Sequence, residues 1–215
     1  KEVFANYFAA CIVEPLFPSV NHSLNWIKTY TTASLAEDRT QGSNSIRQPL
    51  DNLRNAGLIY GNIIYNKAPV MMQKLVEIMG EEAYQKGIQE YLKTYAYGNA
   101  TWDDLIAILD SQTEEDLATF SDVWVNQKGM PHITFTNRCG QLEIRQRDPL
   151  NRGLIWPQRF QITFQGEEEN TSVEVNLTGE TYALTVPLGT QAILPNTDER
   201  GYGLFIPDEQ SMEWL

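Results

Sequence analysis

Through the first 130 residues apolar side chains recur every three or four positions; beyond them they alternate. Phe4, Tyr7, Phe8, Cys11 and Ile12 share one face of a helix that Pro15 ends. A second helix is predicted from Leu24 to about Asp38. Residues 39–58, rich in Asn, Gly, Ser and Gln, read as a long loop, of a length that compact domains reserve for function or disorder. The next helix starts near Tyr65, with Pro69 tolerated in its first turn or at a kink. It runs through Val70, Met71, Leu75, Val76 and Ile78 and stops at Gly80. Residues 81–96 make another, with Tyr84, Ile88, Tyr91, Leu92 and Tyr95 on one face. Thr101 before Asp104, and Thr113 before Asp116, read as N-caps of short helices ending near Ser111 and Asn126.

At Gly129-Met130-Pro131 the period changes from helical to alternating. Short strands are predicted at 132–138, 141–147, 158–165, 171–177, 180–187, 191–195 and 201–206. Cys139-Gly140, Gln165-Gly166 and Thr178-Gly179 supply turns between them. Strands of this length and spacing predict a small antiparallel β-sandwich. The expected fold class is therefore α+β, helical over residues 1–131 and a sandwich over 132–215. The chain opens on Lys1-Glu2 inside an amphipathic run and closes at 207–215 on a helix start. Both ends read as cut, so an internal piece of a longer protein is expected.

Composition narrows the function classes. Forty-two per cent of the residues are hydrophobic and 20% charged, the balance of an ordinary globular protein. A net charge of −12 without any Lys/Arg cluster argues against nucleic acid as a partner. No apolar run is long enough for a membrane span. Two cysteines make neither a disulfide framework nor a zinc knuckle, and they leave the compartment unknown. G-x-S-x-G and phosphate-cradling glycine loops are absent from the sequence. Glu167-Glu168-Glu169 reads as a solvated hairpin tip, and the sequon Asn99-Ala100-Thr101 is better explained by the Thr101 cap.

Several short motifs, in a fixed order, carry a resemblance. Lys1-Glu2-Val3-Phe4-Ala5-Asn6-Tyr7-Phe8-Ala9 resembles the W-L-N-E-G-F-A-x-Y segment of the M1 family of zinc aminopeptidases. Ile64-Tyr65-Asn66-Lys67-Ala68 is similar to that family's Y-x-K-G motif. The stretches 80–87 and 95–101 resemble the helical region that follows it, and 124–131 the family's exit into its β-sandwich. Lys1 stands where the family usually has Asn, Val3 where it has Gly, and Ala68-Pro69 where it has Gly-Ala.

The resemblance implies the helical half of a thermolysin-like catalytic domain, followed by the sandwich. It implies a parent enzyme that hydrolyses N-terminal residues from peptides. Zn²⁺ would be held by two histidines of H-E-x-x-H and by Glu2, leaving one position open for water. Tyr65 would be catalytic, its neutral phenol donating a hydrogen bond to the oxyanion of the tetrahedral intermediate. Lys67 reads as structural.

The chain contains only His22 and His132, so H-E-x-x-H and its general-base glutamate are not in it. His132, at the edge of the first strand, reads as structural, and His22 as a solvated or capping residue. Zinc is therefore expected in the parent and not in this piece, which alone should be inactive. Expected partners are peptide substrates and the remaining domains of the same chain. A rival reading keeps the peptidase fold as a non-catalytic scaffold or interaction protein. A second, a carbohydrate- or protein-binding sandwich, would need more exposed aromatics than Trp156 and Tyr182 offer.

Overall fold

A computed structural model describes residues 2–215, apart from the side chains of Glu2, Leu53, Ala56 and Leu58. The chain forms two compact units, Lys1–Gly129 and Met130–Leu215.

The first unit begins with α1 (Glu2–Leu16). α2 (His22–Trp26) starts two residues before the predicted helix because the Asn21 side chain accepts the Leu24 amide at 2.9 Å. It runs through a wide π turn, Ile27–Thr31, into α3 (Thr32–Asp38). Residues 39–58 are not all loop: a short 3₁₀ turn Leu53–Asn55 leads into α4 (Ala56–Ile59). A second π turn, Ile63–Lys67, opens α5 (Ala68–Met79), with Pro69 in the first turn and Gly80 ending it at φ +81°. α6 (Glu81–Thr94) and α7 (Trp102–Asp110) pack so closely at Gly87 that a Cβ there would sit 2.6 Å from Leu109 Cδ2.

Thr101 caps α7 in a reciprocal capping box with Asp104. Thr113 does not cap the next helix. Asp116 does so, accepting the Thr119 amide at 2.8 Å, and α8 (Leu117–Ser121) therefore starts later than the sequence suggests. A third π turn, Asp122–Asn126, follows. Leu75, Leu105, Leu109, Leu117 and Trp124 are buried at the centre of this unit. The Lys74 ammonium lies 5.9 Å from the Trp124 ring centroid, a cation–π contact that lets a lysine enter the core.

The second unit is a two-sheet sandwich. β1 (His132–Arg138) and β2 (Gln141–Arg147) form a hairpin whose turn, Cys139-Gly140, has both φ values positive, as a type I′ turn requires. β3 (Gln158–Gln165) pairs with β4 (Asn170–Leu177), and β5 (Thr181–Thr185) with β2. With β6 (Ala192–Leu194) and β7 (Leu204–Ile206) the sheets order as β5-β2-β1-β7 and β4-β3-β6. The expected all-antiparallel pattern fails at one edge, where β7 runs parallel to β1. Strand β7 returns after β6 has been placed in the opposite sheet, so a hairpin no longer fixes its direction. α9 (Glu209–Trp214) follows, capped by Asp208.

Alternation sends Ile133, Phe135, Leu142, Ile144, Phe160, Ile162, Phe164, Val175 and Leu177 into one core between the sheets. Burying each such side chain contributes roughly 1.5–3 kcal/mol. Trp156 is fully buried, so it offers no exposed stacking platform.

Asp148 organises the connection from β2 to β3. It accepts the Leu150 and Arg152 amides at 3.0 and 2.7 Å and pairs with the Arg152 guanidinium at 2.9 Å. Burial pushes its carboxyl up, but Arg152 and the two amides outweigh that and hold it below the usual carboxylate range. A depressed folded value stabilises the fold above the ordinary carboxylate pKa, and the gain is lost as pH falls through the folded value. We expect Asp148→Asn to cost about 2 kcal/mol near neutral pH. The gap to wild type should narrow as pH falls from about 5 through the ordinary carboxylate range and below it, measured by denaturant unfolding, and a constant gap would refute the assignment.

Candidate active site

Glu2 is the first residue of α1, and its side chain lies outside the described residues. Asn6 follows one helical turn later, on the same face of α1. Its amide Nδ2 donates to the backbone carbonyl of Tyr65 at 3.2 Å. The helix that opens with Glu2 is thus tied directly to the backbone of the tyrosine singled out by sequence.

Tyr65 occupies the middle of the π turn Ile63–Lys67. The residue is 37% exposed, while Ile63 and Lys67 on either side of it are buried. In a turn of a little over four residues, positions 63 and 67 fall on one side and 65 on the other. Burying the outer two therefore presents the phenol outward. The Tyr60 ring lies 5.8 Å from it, tilted by 43°.

Lys67 has no exposed surface. Its ammonium pairs with Asp38 Oδ2 at 2.7 Å and donates to the Gly129 carbonyl at 2.9 Å. Asp38 is equally shielded, and its Oδ1 accepts the Ser43 hydroxyl at 2.6 Å. The sequence marked Lys67 as structural, but gave no sign of Asp38, Ser43 or Asn6. Asp38 lies 29 residues from Lys67 and Asn6 59 from Tyr65, while Ser43 reaches the lysine only through Asp38, and none of them belongs to a recognisable spacing.

Tyr7, on the second turn of α1, packs edge-on against Tyr84 with ring centroids 6.2 Å apart. Burial, and then the Cys11 thiol, raise its phenol well above the ordinary tyrosine range, and burial does the same for Tyr84. Both rings stay protonated at any working pH. A groove of about 650 Å³ along α1 is lined by Asn6, Tyr7, Trp26, Tyr30, Glu77 and Glu81 among others. A smaller apolar pocket of about 190 Å³ is lined by Val3, Ala68, Met71, Met72, Trp102 and Phe120, with Arg47 held nearby by Asp103.

Among the described residues no three His, Cys, Asp or Glu side chains come together as a metal site. His22 Nε2 bonds the Phe17 carbonyl at 2.8 Å and belongs to the turn after α1. His132 opens β1, where burial and then Arg147 lower its imidazole. Neither histidine lies on α1 or the Tyr65 turn. Neither Cys11 nor Cys139 is in a disulfide. No helix among the described residues is long and apolar enough to cross a membrane.

The order of α1, the π turn with its buried lysine, and the helices after it is one that a family comparison tests directly. The peptidase family M1 domain matches residues 1–124. The chain belongs to the M1 peptidase family. Aminopeptidase M1-B of Oryza sativa subsp. japonica is 30% identical over 159 residues, covering 73% of this chain and 18% of the relative. Aminopeptidase N of Streptomyces lividans is 28% identical over 239 residues, covering 99% of this chain and 27% of the relative. Aminopeptidase N of Lactobacillus delbrueckii subsp. lactis is 25% identical over 195 residues, 88% of this chain and 23% of the relative. The M1 chain in hand thus spans about a fifth to a quarter of the length of these curated relatives.

Lys67→Met leaves the Asp38 carboxylate buried without its cation. It should cost about 3–5 kcal/mol in denaturant unfolding. A loss below about 1 kcal/mol would mean that the pair is exposed in solution.

Proposed function

We propose that this chain is part of a zinc aminopeptidase that removes N-terminal residues from peptides, with Tyr65 as the oxyanion donor and Glu2 as one metal ligand. The observation that carries the reading is the outward-facing Tyr65 phenol on a turn whose flanking residues are buried, joined through Asn6 to the helix that begins with Glu2. Membership of the M1 family and the aminopeptidase names of its relatives support the reaction class.

Residues 1–131 would be the helical part of a thermolysin-like catalytic domain, and 132–215 a sandwich serving as a spacer. A single carboxylate on α1 does not make a zinc site. The remaining ligands and the general base would come from residues outside this chain, and the chain alone would be inactive. Zinc bound there would supply Lewis-acid polarisation of the scissile carbonyl and a lowered water pKa.

This chain's own contribution is the phenol. It donates where negative charge develops only in the transition state, which raises kcat more than it tightens substrate binding.

Tyr65→Phe in the intact enzyme should lower kcat about 10²–10³-fold with little change in KM. Glu2→Ala should abolish stoichiometric zinc. A kcat within about tenfold of wild type would remove Tyr65 from the chemistry. An intact protein that holds no zinc and cleaves no aminoacyl anilide would instead favour the non-catalytic scaffold.

A further inference from the structure

Tyr65 sits between two buried anchors on its own turn, and the second of them is an ion pair where a methionine or leucine would have filled the space. Swapping a buried pair for well-packed apolar residues is often neutral or stabilising, so stability alone does not account for it. What the pair does provide is direction. The Lys67 ammonium is held by Asp38 Oδ2 at the end of α3 and by the Gly129 carbonyl, and the Ser43 hydroxyl fixes the other carboxylate oxygen. Three segments far apart in sequence thus converge on one Nζ. An apolar side chain in the same cavity slides and changes rotamer at little cost, whereas an ammonium held by two acceptors has one position.

We propose that Asp38 and Lys67 are positioning residues for Tyr65, a buried electrostatic anchor that sets the height and rotation of the π turn and hence where the phenol hydroxyl sits. Asn6 steadies the same turn by holding the Tyr65 carbonyl. Both hold the turn through its backbone and Lys67, and Tyr65 itself is 37% exposed. An oxyanion donor loses most of its effect when displaced by about 1 Å, so an anchor of this stiffness has a functional return that packing lacks. The inference rests on the reading of Tyr65 as the oxyanion donor.

The test is a cycle in the intact enzyme: wild type, Asp38→Leu/Lys67→Met, Tyr65→Phe, and the triple variant. The apolar double variant should bind zinc and keep KM, while its kcat falls about 10- to 100-fold. Added to Tyr65→Phe it should cost almost nothing more, because the anchor acts only through the hydroxyl. A readout independent of turnover is the ¹⁹F resonance of 3-fluorotyrosine at position 65, which should shift and broaden in the double variant. If Tyr65→Phe is fatal but the double variant has wild-type kcat and resonance, or multiplies the Tyr65→Phe loss, the positioning role is overturned. If Tyr65→Phe itself is active, the fault lies in the reading of Tyr65, and the resonance still reports whether the anchor moves the ring. Should the double variant not fold, Ser43→Ala, which frees only one Asp38 oxygen, decides. A several-fold fall in kcat with a broadened resonance supports the anchor, and no change in either refutes it.

Discussion

A buried lysine and a buried aspartate facing one another are an unusual device on which to hang a helical unit. Each ion alone would cost several kcal/mol to desolvate, and the pair is tolerable only because their oxygens and protons are taken up. Asp38 meets Lys67 and Ser43; Lys67 meets Asp38 and Gly129. The end of α3, the start of the 39–58 connection, the π turn before α5 and the last residue of the helical unit are thereby fixed to one point. The connection between α3 and α4 is long, and without such a tie its entropy would favour many arrangements.

The rest of the helical unit is ordinary by comparison. α5 is buried along most of its length; α6 packs beside it, α7 against α6 and α8 against α7, and the π turn that carries the buried Trp124 also packs on α5. That mass holds α5 still, and α5 carries the π turn at its N-terminus. Rigidity passes from the core to an exposed phenol within a few residues. The family M1 domain covers this whole stretch, 1–124, and the likeness to the aminopeptidase N relatives runs on into the sandwich, which has its own core.

Much of the architecture was legible in residue pattern. Alternation in Phe160/Ile162/Phe164 and Val173/Val175/Leu177 located strands that the structure pairs residue for residue. The Thr101/Asp104 spacing located a cap that the structure makes. The failures have physical causes. Thr113 lost to Asp116 because a carboxylate takes both the Thr119 amide and its hydroxyl, a two-fold bond that a threonine does not offer. The parallel β1–β7 pair was hidden because period-two patterning is the same in either strand direction. α4 was hidden in a polar stretch too short for helical periodicity. At the site, Tyr65 and Glu2 stood out only through motif resemblance. Asn6, Asp38 and Ser43 are single polar residues whose partners are set by tertiary packing, and no window of local sequence contains that information.

The π turn at Ile63–Lys67 has a consequence for how this chain can vary. An i→i+5 turn holds one residue more than an ordinary helical turn. Deleting one residue there would leave a regular helix with every backbone bond made and its flanks nearly in phase, because four α residues turn through about as much as five of the wider turn. Ile63 and Lys67 would still share a side, but Tyr65 would turn about 50° away from the point opposite them. A one-residue change of length at this junction therefore acts on the aim of the ring more than on the fold.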